Sequence, residues 1–153
     1  MTTETETTSN DSRNVRLLRA DSLTLAVPED AVLSVVPWAD PTPLPFAPAP
    51  VLGIVSIQGR MFTVIDIGLL LGNEVRNQNP RFIVALHGDE QLAMAVDEAY
   101  PVAEIIAEAS TGDTELNLIQ GKTQLGAKEV LLLNVAMLFP SVIRGRERRK
   151  RRM

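Results

Sequence analysis

No apolar run in this chain goes far before a turn residue interrupts it, and that spacing constrains the fold more than any other feature. Val15–Arg19 and Leu23–Val27 flank Ala20-Asp21-Ser22, and Val51–Ile57 and Met61–Ile65 flank Gln58-Gly59-Arg60. Arg81–Leu86 and Gln91–Val96 flank His87-Gly88-Asp89-Glu90. Pro101–Ile106 follows the turn Asp97–Tyr100, and Leu116–Lys122 and Lys128–Leu133 flank Gly126. Runs this short fit strands joined as hairpins, not helices. Glu29–Val36 reads as a short helical turn leading into a strand. The total is about nine or ten strands, the spacing of an all-β barrel or sandwich. Many of the runs are apolar at every position, so their sheets must be covered on both faces, or two barrels must share a core.

Two segments break the rhythm. Trp38–Pro50 holds Pro41, Pro43, Pro45, Pro48 and Pro50. Each removes a backbone donor and fixes φ, which rules out a helix or a central strand. An extended surface loop is expected, in preference to a PxxP ligand for a proline-recognition domain. Asp66, after the strand Met61–Ile65, suits a helix N-cap for Ile67–Leu71, with Gly72 as the stop. Asn134 is the matching candidate ahead of Val135–Phe139, with Pro140 ending that turn.

Charge divides the chain further. Residues 144–153 hold seven of the 15 basic residues and one of the 19 acidic ones. Eight basic and 18 acidic residues remain, so residues 1–143 carry a net −10. An acidic body argues against a nucleic-acid surface on the fold itself. Residues 1–13 are Thr-, Ser- and Glu-rich, with little to bury, and are expected to be disordered. They lack the apolar core of a signal peptide, and Asp66 interrupts the longest apolar region, so a cytoplasmic location is expected. Residues 141–153 are expected to form a basic tail outside the fold.

Catalytic chemistry finds few candidates. There is no cysteine, which excludes thiol nucleophiles, disulfides and thiolate-bound metals. His87 is the one histidine, set in a charged turn with no partner for a triad or metal site nearby. Gly121-Lys122-Thr123 looks like the end of a phosphate loop but has Leu116 where that loop needs glycine, and it follows a strand. Asp66 and Asp97 each serve better as a cap or turn residue than as an acid/base pair. No enzyme activity and no cofactor are expected.

The ordered features resemble the chemotaxis coupling (CheW-like) family. The run Val51-Leu52-Gly53-Ile54-Val55-Ser56-Ile57-Gln58-Gly59-Arg60-Met61-Phe62-Thr63-Val64-Ile65-Asp66-Ile67 is similar to that family's signature of an apolar-Gly-apolar strand, Asn-Leu-Arg-Gly, an apolar stretch and Pro-Val-Val-Asp-Leu. Gly53, Gly59, Asp66 and the Leu71-Gly72 ending match in place. Val96-Asp97, Gly121 and Val130–Leu133 match further on, so the likeness covers residues 15–139.

The resemblance implies an all-β fold of two intertwined, small SH3-like five-stranded β-barrels sharing a core, with short helices, over residues 14–140. It implies an adaptor that joins the cytoplasmic tip of a chemoreceptor to the regulatory domain of a CheA-type histidine kinase. Val32, Ser34, Val36, Ile54, Gln58 and Gly59 are the candidate protein-binding positions. Two departures bear on them. Gln58 stands at the family's usual Arg and Ser34 at its usual Glu, positions expected to face each other as an ion pair. Losing both together avoids a stranded charge, while altering any interface that used them. The alternative is a β-barrel module that binds nucleic acid, another polyanion or a membrane surface through residues 144–153.

Overall fold

The structure, a computed structural model, describes residues 12–106, 108–109 and 118–143. Among these, eleven strands form two sheets. In chain order they are β1 (Ser12–Ala20), β2 (Leu23–Pro28), β3 (Val32–Pro37), β4 (Val51–Ile57), β5 (Arg60–Asp66), β6 (Phe82–Leu86), β7 (Leu92–Val96), β8 (Glu98–Ile106), β9 (Glu108–Ala109), β10 (Ile119–Leu125) and β11 (Lys128–Leu133). A four-residue helix, α1 (Ile67–Leu70), follows β5. A 3-10 turn, Val135–Met137, follows β11 and leads into a second short helix, α2, over 138–143.

The first sheet has the order β8-β1-β2-β11-β10-β9 and the second β3-β6-β7-β5-β4. Both curl shut, by related means. β8 and β9 sit at opposite edges of the first sheet, yet residue 107 alone separates them, so one run of chain borders both edges. In the second, the chain leaving β3 crosses to the far edge. There Thr42 and Ile54 exchange two backbone hydrogen bonds of 2.9 Å. The second barrel is inserted between β2 and β8 of the first. This is the intertwined two-barrel fold that the sequence implied, with the two-residue β9 as an additional strand.

The barrels repeat one plan. In each, a single parallel pair (β2–β11, β5–β7) sits among antiparallel pairs. The hairpins β4–β5 and β10–β11 carry the same register break. Val51 faces Ile65 and Gly53 faces Val64; Ile119 faces Leu133 and Gly121 faces Leu132.

Strands apolar at every position are explained by where each face goes. Along β7, Leu92, Met94 and Val96 enter a core shared between the barrels, while Ala93 and Ala95 fill the interior of the second. β6 divides likewise, Val84 and Leu86 against Ile83 and Ala85. From the first barrel, Leu18, Leu25 and Val27 join the shared core, and Ala26 turns inward with Val15, Val130 and Leu132. Alanine suits the inward positions because a five-stranded barrel has little room inside. Each large side chain fully buried in this way contributes roughly 1.5–3 kcal/mol.

Several local expectations need correction. Glu98–Tyr100, read as a turn, belongs to β8. Pro101 is tolerated there because β8 is an edge strand and the ladder is interrupted at that point: Arg16 faces Val102, but Leu18 faces Ala99. Pro140 does not end the turn before it but lies in the first turn of α2, where its missing N–H breaks no helical bond. Asn134 stands at the N-cap of the 3-10 turn without a side-chain capping bond to it. Ala107–Glu115, read as a loop, contains β9, and the rest of it lies outside the described residues. Residues 1–11 and 144–153, which hold nearly all of the two expected tails, also lie outside them.

Gly53 makes the closure of the second barrel possible. It has φ +148°, and a Cβ there would lie 2.3 Å from the Thr42 carbonyl oxygen. Gly72 also has positive φ, +112°, but open space around it. Gly53→Ala is expected to cost more than Gly72→Ala, and more than about 1 kcal/mol, measured as loss of unfolding free energy in urea. Equal losses would show that backbone strain alone, and not the approach of Thr42, makes glycine necessary.

Candidate protein-docking site

The six candidate positions all fall on the second barrel, in β3, in β4 and in the turn between β4 and β5. Ser34 faces Ala85 across β3–β6, and the register breaks between Val32 and Ser34. Val32 packs against the shared core together with Val35, and Val36 against the barrel interior together with Leu33. Both valines are only half-buried, so packing claims part of each side chain and leaves part on the surface. Ile54 is half-buried in β4, where its backbone holds Thr42. Gln58 and Gly59 are exposed at the tip of the β4–β5 hairpin. With φ +53° and +80°, they form a tight turn of the kind whose twist matches the flanking strands.

Among the described residues, no hydrogen bond or ion pair joins Ser34 to Gln58. The Ser34 hydroxyl is buried and has no partner. A serine therefore does not replace, in kind, whatever contact a longer acidic side chain makes from this position.

The structure adds residues that sequence reasoning missed. Beside the hairpin tip, the Arg60 guanidinium lies 5.5 Å from the centre of the Phe62 ring. The Gln91 amide, oriented to satisfy both neighbours, donates to the Met61 carbonyl at 3.0 Å and accepts from Arg60 Nη2 at 3.2 Å. Arg60 is thereby held while Met61 stays 56% exposed. The tip thus offers Gln58, Gly59, Arg60 and Met61 as a polar rim around one apolar side chain, a composition suited to protein docking. Across the loop from β3 to β4, Phe46 is 91% exposed at φ +60°, in a turn that glycine or asparagine would fill with less strain. Its neighbour Pro45 gave the only hint of that turn.

Asp66 is the buried charged residue among those described. Its Oδ1 accepts from the Leu69 backbone N–H at 3.2 Å, as the N-cap reading requires. Its Oδ2 accepts from the Asn77 N–H at 2.8 Å. The Asn77 side chain donates in turn to Asp97 Oδ1, and Asp97 Oδ2 pairs with Arg19 at 3.3 Å. Arg19 belongs to the first barrel and Asp66 to the second, so this chain of polar contacts clasps the two together. Its carboxylates are engaged with partners inside the protein. Among the described residues, no group of three or more histidines or carboxylates could hold a metal ion. His87 is an exposed turn residue on an open groove of about 350 Å³, lined also by Leu86, Glu90, Leu92, Val135 and Phe139.

Comparison with known proteins agrees with this geometry. The CheW-like domain profile matches residues 15–142. A chemotaxis protein CheW from Rhizobium meliloti (strain 1021) is 23% identical over 149 residues, spanning 92% of this chain and 96% of that one. The crystal structure of the scaffolding protein TtCheW from Thermoanaerobacter tengcongensis superposes with a TM-score of 0.69 at 18% identity. That match covers 83% of this chain and 92% of the other. No helix among the described residues is long and apolar enough to cross a membrane.

The clasp carries a pH signature. Burial, then repulsion from Asp97 and Asp66, holds the Asp21 carboxyl above its ordinary 3.8, outweighing the attraction of Arg19 and the Asn73 hydrogen bond. The folded chain thus binds this proton more tightly than the unfolded one. The ionised carboxylate works against the fold above its raised pKa, and that penalty fades as pH falls toward 3.8. Asn accepts the φ of +57° at this position. Asp21→Asn is expected to raise the melting temperature at pH 7 and to leave it unchanged below pH 3.8. A rise of the same size at both pH values would remove charge from the explanation.

Proposed function

We propose, from the premise that this chain belongs to the CheW-like domain family, that it is a non-catalytic scaffold of a chemosensory complex, joining a chemoreceptor tip to the regulatory domain of a CheA-type kinase. The family match over residues 15–142, which takes in both barrels and their shared core, carries the reading. The geometry supports it. The buried carboxylate Asp66 is committed to the helix start and the Asn77 loop. What remains available is surface: the hairpin tip at Gln58–Met61 and the exposed margins of Val32, Val36 and Ile54.

In this reading the six positions bind and do no chemistry. Gln58 and Gly59 contribute a rigid turn whose shape comes before its charge. Val32, Val36 and Ile54 add apolar margin, and Ser34 leaves β3 uncharged where the family usually carries Glu. An interface that relies on an Arg and a Glu at these two places is rebuilt in this chain on neutral groups, which lowers its sensitivity to salt.

Separate titrations with a receptor signalling tip and with a kinase regulatory domain test the proposal. Binding to both is expected. Gln58→Asp should weaken kinase-domain binding by about tenfold, roughly 1.4 kcal/mol, with the circular dichroism spectrum unchanged, because Asp tolerates the positive φ at least as well as Gln. Binding to the receptor tip alone would recast the chain as an accessory adaptor, and binding to neither would refute the chemosensory role.

A further inference from the structure

Two features of Phe46 are unfavourable in a single copy of the chain. Its ring is 91% exposed, and its backbone sits at φ +60°, where a bulky side chain is strained and glycine or asparagine is not. Leu44, two residues earlier, is 40% exposed. Pro43 and Pro45 flank Leu44, and the Val51 N–H donates to the Pro48 carbonyl at 3.0 Å, so the segment is held stiffly. A stiff, projecting aromatic residue has the form of an interface anchor, because little freedom is left to lose on binding.

The molecule also carries a hollow that suits such an anchor. The open groove of about 350 Å³ beside His87 is lined by Leu86 and Leu92 of the second barrel and by Val135, Ala136 and Phe139 from the segment after β11. That volume admits one aromatic side chain. Phe139 is 44% exposed there, and Glu90 adds a polar edge to an otherwise apolar lining.

Charge points to the source of the anchor. Residues 1–143 carry a net −10, so two copies of the body repel each other unless they meet through uncharged surface. The two longest runs without a charged residue are 41–59, between Asp40 and Arg60, and 130–143, between Glu129 and Arg144. The first carries Phe46; the second carries Val135, Ala136 and Phe139. We propose that a second copy of this chain fills the groove, with Phe46 of one copy seated against Leu86, Leu92, Val135 and Phe139 of the next. Anchor and groove are different surfaces, so each copy offers one of each and the contact is head-to-tail. It is independent of the receptor and kinase partners proposed above and uses no residue of the Gln58–Met61 tip.

Sedimentation velocity of the full-length chain, from micromolar to millimolar concentration, tests this. The sedimentation coefficient should rise with concentration. It should rise more steeply at high salt, which screens repulsion between the acidic bodies and leaves an apolar contact intact. Phe46→Asn suits the positive φ, so it should keep or raise the melting temperature while weakening association at least about tenfold. Ala136→Glu, at an exposed position, puts a carboxylate where the ring would seat. It should weaken association as much, with the circular dichroism spectrum unchanged. Mixed together, the two variants should pair one to one, because the first keeps an intact groove and the second an intact Phe46. A monomer throughout the concentration range would overturn the proposal, as would undiminished association of Phe46→Asn. Association that weakens as salt rises would assign the contact to opposite charges instead, and failure of the mixed variants to pair would refute the seating of Phe46 in the groove.

Discussion

A strand that is apolar on both faces is stable only if both faces are dry, and the architecture of this protein follows from that requirement. β6 and β7 have five residues each with no outward polar side. A single barrel would bury one face and leave Val84, Leu86, Met94 and Val96 in water. A second barrel, presenting Leu18, Leu25 and Val27, covers them. The shared core is therefore the reason the chain returns after β7 to complete the first barrel, and each barrel depends on the other for one of its walls.

Closure is the second demand, since an open edge exposes unpaired backbone groups. Both barrels meet it by lending one run of chain to two edges, β3 through Thr42 in one and β8 through β9 in the other. The repeated register break at Gly53 and Gly121 shows that the two solutions share one plan. At Gly53 the approach of Thr42 leaves no room for a side chain, so the glycine that also marks the family signature has a packing role before any functional one.

Polar contacts then fix how the barrels meet. Asp66 serves the helix start and the Asn77 loop together, and Asn77 hands the connection to Asp97 and Arg19. Asp21 stands close enough to Asp66 and Asp97 to be repelled by them. Placing carboxylates at this joint trades some stability for a defined geometry, which a scaffold needs if surfaces on two barrels are to meet partners in register.

Much of this was legible in the residues. Turn spacing identified the hairpins, the doubly apolar runs required cover on both faces, and Asp66 announced its cap, because each depends on a few neighbours in the chain. The reading failed where the deciding neighbour was distant. Glu98–Tyr100 belong to a strand because β1 lies beside them, with Tyr100 and Pro101 bulging from β8 opposite Leu17. Val32 and Val36 pack in different cores because the register breaks between Val32 and Ser34. Ser34, at a position expected to face Gln58, keeps a buried hydroxyl with no hydrogen-bond partner. The sequence by itself determined most of the strands, their turns and the need to cover both faces, since run length and turn chemistry are local. Only the tertiary structure decided which face enters which core, how the edges close and which side chains stay exposed, because those outcomes depend on contacts between residues far apart in the chain.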